Sequence, residues 1–99
     1  MQQYLRTDAD GNQVLDITLL DEDARLRFLE DVQRWAETIP VPPGDPAASE
    51  DQRYIYIHSA VAAALDEFPF NDDGVRITRK TEVWMYDVIW AVLEEKYPV

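Results

Sequence analysis

The sequence predicts an α+β fold from three features: apolar residues recur at helical spacing in three long stretches, a turn-rich segment near the start is flanked by short apolar runs, and a β-branched run precedes the last helix. The expected architecture is an N-terminal β-hairpin, joined by a strand at 75–78 into a three-stranded antiparallel sheet. That sheet packs against helices at about 21–39, 49–68 and 81–97, within a single small domain spanning 1–99.

Residues 2–20 read as the hairpin. Tyr4 and Leu5 open it, Thr7 to Gln13 is dense in turn chemistry, and Val14 to Leu19 reads as the returning strand. Asp10-Gly11-Asn12 suits a turn that needs positive φ.

The first helix starts at Asp21, with Glu22 and Asp23 in the turn where the macrodipole favours acids. Ala24, Phe28, Leu29, Val32, Trp35, Ala36 and Ile39 fall in one arc of roughly 140°, a core face. Asp21 with Arg25, Asp23 with Arg27 and Glu30 with Arg34 form acid-first i,i+4 pairs on the other side, where Leu26 is stranded.

Pro40, Pro42, Pro43 and Pro46 end that helix and make 40–48 a rigid connector within the domain. Its PxxP spacing reads as connector stiffness rather than as a peptide ligand.

Ser49 with Gln52 forms a capping box, so the second helix begins there. Tyr54, Ile57, Val61, Ala64, Leu65 and Phe68 share its apolar face. The run Arg53 to His58 is β-branched and aromatic, as a strand would be. The capping box decides for helix; the alternative is a strand with the helix starting at Ser59.

Pro69 to Gly74 is a turn, and Arg76, Thr78 and Lys80 face outward from the strand that follows. Thr81-Glu82 caps the third helix and Pro98 ends it. Its apolar residues, Met85, Tyr86, Val88, Ile89, Trp90, Val92, Leu93 and Tyr97, cover roughly 200°. That width fits a helix that is central in the fold or shared with a partner. Trp84 lies among Asp87, Ala91, Glu94 and Glu95, as an exposed binding residue or one covered by the hairpin.

Charge narrows the function. The 99 residues carry 20 acids against 9 basic residues, a formal charge of −11. Seven of the nine are Arg, and Lys80 and Lys96 are the lysines. Such a surface repels nucleic acid and anionic membrane and attracts basic partners. The same composition also suits a protein that stays soluble at high salt. With 46% apolar and 11% aromatic residues the chain is not a disordered acidic tail. No apolar leader opens it, and Val83 to Leu93, broken by Asp87, falls short of the roughly 20 residues of a membrane span. A cytoplasmic location is the expectation.

Catalytic chemistry finds little material. The absence of cysteine removes thiolate nucleophiles, disulfides and cysteine metal sites. His58 is the single histidine, and its helical neighbours Tyr54 and Ala62 supply neither nucleophile nor orienting carboxylate. Asp8, Asp10, Asn12 and Asp16 match positions 1, 3, 5 and 9 of a calcium loop. Gln13 replaces that loop's glycine and Leu19 its bidentate glutamate, which leaves a weak metal candidate best read as a hairpin turn. No cofactor is expected.

Three functions remain. The first is a non-catalytic acidic binding protein that occupies a basic site on another macromolecule. Nuclease inhibitors, immunity proteins and the nucleic-acid mimics with which phage block host defences share this physical logic. Its partner would be a protein with a basic surface. Candidate contacts are Trp84, Tyr86, Trp90 and Tyr97, with Glu94, Glu95, Asp72 and Asp73 as acids. The second is a homodimer or accessory subunit assembling through the third helix. The third is a small enzyme using His58 and carboxylates.

Overall fold

The computed structural model describes residues 2–40, 49–68 and 74–96. The proline-rich connector at 41–48, most of the turn at 69–73, and the candidate residues Asp72, Asp73 and Tyr97 lie outside the described residues. Three helices pack against a small three-stranded sheet, as the sequence predicts.

Two short strands, β1 (Arg6–Thr7) and β2 (Gln13–Leu15), pair antiparallel with Arg6 opposite Val14. The turn between them is held by the Asp8 carboxylate, which accepts the backbone N–H groups of Asp10 and Asn12 at 2.9 Å each. Gly11 takes a φ of +83°, a conformation that favours glycine. The returning strand is shorter than expected. Asp16 accepts both the backbone N–H and the hydroxyl of Thr18, so Ile17–Leu19 winds into a 3-10 turn instead of continuing the ladder.

Helix α1 (Glu22–Glu37) starts on the Asp21 carboxylate, which accepts the Ala24 N–H at 2.8 Å. Phe28, Val32 and Ala36 are buried on the predicted face, and Leu26 is exposed. Of the three predicted i,i+4 pairs only Glu30–Arg34 closes, at 3.9 Å, and Asp31 adds a contact to the same guanidinium at 3.7 Å. These are the ion pairs among the described residues, and exposed pairs of this kind contribute little.

Helix α2 (Glu50–Asp66) starts at Ser49 with both capping-box bonds formed. The stretch 53–58 is therefore helical. Its β-branched residues lose to a satisfied N-terminus and to the burial of Ile57, Val61 and Ala64 on one stripe. Tyr54, predicted on that buried face, is exposed instead.

The third strand, β3 (Arg76–Ile77), corrects the predicted sheet. It pairs with β2 in parallel, Val14 opposite Arg76 and Leu15 opposite Ile77, giving a mixed sheet of order β1-β2-β3. Only strands joined by a tight turn must be antiparallel. A strand arriving after two helices has the crossover that parallel pairing needs.

Helix α3 (Arg79–Lys96) begins two residues ahead of the predicted start. Thr81 is no cap. It is fully buried, and its hydroxyl accepts the Ile17 N–H at 3.0 Å while meeting the Thr78 hydroxyl at 2.7 Å. Thr78 thus turns inward rather than outward, and the pair fastens α3 to the chain leaving β2.

α3 packs on both α1 and α2, which accounts for its wide apolar arc. Met85, Ile89 and Leu93 are buried along its centre, facing Phe28 and Val32 of α1 and Ile57 and Val61 of α2 within one core. Trp84 leans toward α1 and stacks on Phe28 with ring centroids 5.3 Å apart, so it does not stand on a solvated charged side. Tyr4 packs on the same Phe28 at 4.9 Å and donates its hydroxyl to Asp31. At the far end the Lys96 ammonium donates to the carbonyls of Glu37 and Ile39 at 2.7 and 2.8 Å, where the terminus of α1 concentrates negative charge.

Candidate functional site

The face shared by α2 and α3 carries a line of aromatic rings. Tyr54 and His58 stand one turn apart on α2, Tyr86 and Trp90 one turn apart on α3, and i,i+4 spacing aligns each pair along its helix. Packing of the two helices brings the pairs together. Tyr54 meets Trp90 with centroids 4.9 Å apart and planes at 52°, and Tyr86 lies 5.8 Å from Trp90. Tyr54 and His58 are parallel at 6.3 Å, and His58 sits 5.8 Å from Tyr86.

Polar groups fix this arrangement. Nδ1 of His58 lies 2.5 Å from the Tyr86 hydroxyl. The Trp90 indole N–H donates to a Glu94 carboxylate oxygen at 3.2 Å. Arg53 donates from Nη2 to the Glu94 carbonyl at 3.2 Å, and its Nε is buried without a partner. The Tyr86 phenol is pushed above its usual pKa, chiefly by burial and further by Tyr54 and Asp87 nearby.

Between the first turns of α2 and the last turns of α3 the face opens into a cavity of about 250 Å³. Glu50, Arg53, Tyr54, Ile57, Trp90 and Glu94 line it. Tyr54 is 58% exposed and Ile55 57% exposed, large apolar areas to leave in water on so small a protein. Rings rimmed by carboxylates can hold a cation or a flat polar group.

The predicted contacts divide. Tyr86, Trp90 and Glu94 belong to this face, and Glu95 is exposed beyond it near the end of α3. Trp84 lines a separate groove of about 450 Å³ against α1, with Ile17, Glu22, Arg25, Leu26 and Leu29. Sequence reasoning assigned Tyr54 to the core and kept His58 apart from the binding residues. The signal that joins them is the matching aromatic i,i+4 pair on each helix.

Of the four metal candidates, Asp8, Asp10 and Asn12 line a shallow cavity of about 470 Å³ with Gln13, Gly74 and Arg76. Asp8 accepts the N–H groups of its own turn, and Asp16 holds the separate Thr18 turn. Among the described residues no cluster of three or more His, Asp or Glu is arranged to hold a metal ion, and no helix is long and apolar enough to cross a membrane.

Comparison with protein-family models, with curated proteins and with solved structures finds no match to this chain.

Proposed function

We propose that this chain is a small acidic, non-catalytic binding protein that occupies a basic site on another protein, in the manner of an inhibitor, an immunity protein or a nucleic-acid mimic. The observation that carries the reading is the solvent-facing aromatic surface of α2 and α3 with Glu50 and Glu94 at its edge, on a chain of charge −11. Aromatic residues in a carboxylate rim give a contact hydrophobic anchors and a charge preference together. With 20 acids against 9 basic residues, most of the acidic charge has no basic counterpart in the chain. The same charge disfavours nucleic acid as a partner, and a cytoplasmic site of action accompanies the reading.

Affinity capture from the native host at low and high salt tests it, followed by titration of the purified pair. The expected result is a basic protein bound one-to-one, with affinity that falls steeply with ionic strength and is lost in Trp90→Ala. A partner of neutral or acidic surface, or binding that ignores both salt and Trp90, would overturn the reading. Self-assembly is the competing use of α3, but its apolar arc is largely consumed in packing on α1 and α2. A dimer that persists at high salt would favour that alternative.

A further inference from the structure

We propose, on the basis of the binding function above, that the slot beside Tyr54 and Trp90, at the ends of α2 and α3, receives a single arginine side chain from an exposed segment of the partner. Size comes first. At about 250 Å³ the cavity lies below the range of about 300–1,000 Å³ typical of small-molecule pockets, so it suits one side chain better than a whole ligand.

Shape and charge then choose the side chain. The two rings touch, with centroids 4.9 Å apart and planes at 52°, so a planar group does not enter between them but can lie flat on the ring surface that lines the cavity. Two carboxylates, Glu50 and Glu94, line the cavity against one guanidinium, that of Arg53. Arg53 forms no ion pair with either acid. It reaches along α3 to the Glu94 carbonyl, so both carboxylates remain available. The Glu94 carboxylate is already oriented by the Trp90 indole N–H. A guanidinium is flat, stacks on aromatic faces and donates in a fork to carboxylates, whereas an ammonium is a compact, strongly hydrated point charge. The slot is therefore selective for arginine over lysine.

The test uses the full-length protein with its three tryptophan indoles 15N-labelled, titrated at low salt with capped hexa-arginine and, separately, capped hexa-lysine. Hexa-arginine should move the Trp90 indole signal saturably and leave those of Trp35 and Trp84 in place, with hexa-lysine several-fold weaker. Tyr54→Ala and the double variant Glu50→Gln with Glu94→Gln should each weaken hexa-arginine by tenfold or more. Tyr54 is exposed, and the glutamines keep an acceptor for Trp90, so a thermal melt will show both variants folded. Saturable binding that leaves Trp90 unmoved and ignores both variants would overturn the slot while the acidic binding function stands. Equal affinity for the two peptides at Trp90 would overturn the selectivity. Failure of both peptides to bind at low salt would overturn the slot, whereas the parent reading falls only if capture from the host yields no basic partner.

Discussion

Replacing Thr81 with valine should cost the protein stability even though it changes no volume. Thr81 is fully buried in the first turn of α3, and its hydroxyl accepts the Ile17 N–H at 3.0 Å and meets Thr78 at 2.7 Å. Valine fills the same space but strands the Ile17 donor. A fully buried donor left without its acceptor costs about 1–3 kcal/mol, and the half-buried Ile17 N–H falls in the lower part of that range. The Thr78 hydroxyl is half-buried and recovers part of its loss by turning to water. The expected destabilisation is therefore about 1–2 kcal/mol, a sizeable fraction of the 5–15 kcal/mol typical of a folded domain. At this chain length that lowers Tm by about 4–8 °C for each kcal/mol. Urea denaturation should show a lower midpoint with an unchanged slope, since the native fold and the surface it buries are retained. Hydrogen exchange supplies a local reading: the Ile17 amide should lose protection in Thr81→Val. A variant as stable as the parent, with Ile17 still protected, would refute the claim that this hydroxyl joins α3 to the chain leaving β2.

Other expectations are testable by similar means. Tyr4 and Tyr86 both have pKa values raised by burial, and the Asp31 carboxylate adds to the effect at Tyr4. Above about pH 10 the unfolded chain releases these protons while the folded one keeps them, so stability falls as pH rises; the alkaline loss should be smaller in Tyr86→Phe. Ser49→Ala removes the capping-box acceptor and should cost about 1 kcal/mol by urea denaturation. Because the net charge is −11, raising NaCl from 20 mM to 500 mM should screen self-repulsion and increase Tm by calorimetry.

What the sequence made legible was periodic or local. Asp21 and Ser49 are caps whose chemistry spans three residues, and both act where they were read. The capping box outweighed the strand-like run at 53–58 because a satisfied helix start is a specific bond pattern, while β-propensity is a statement about surroundings. The breadth of the arc on α3 pointed to a helix either central or shared with a partner, and α3 lies against both others. What stayed hidden depends on long-range juxtaposition. Nothing local distinguishes a parallel β3 from an antiparallel one, and nothing beside Thr81 reveals that its partner is Ile17. Trp84 was placed with the acids because a wheel knows only its own helix; Phe28 on a neighbour decides where that ring lies. The aromatic face was half visible, through Tyr86 and Trp90, and Tyr54 and His58 joined it only once α2 was laid beside α3.

The central position of α3 has a consequence for how the chain is made. α3 follows α1 and α2 in chain order, yet it is the element that covers them both. A nascent chain that has completed α2 holds Phe28, Val32, Ile57 and Val61 without the helix that buries them. The bond between Ile17 and Thr81 spans 64 positions, and a loop of that length is closed at an entropic cost that a two-residue strand cannot offset alone. Burial of these stripes therefore needs α3, and a single cooperative unfolding transition is the expectation. Until α3 is made, unfinished chains expose apolar stripes to one another, and their strong like charge keeps them apart.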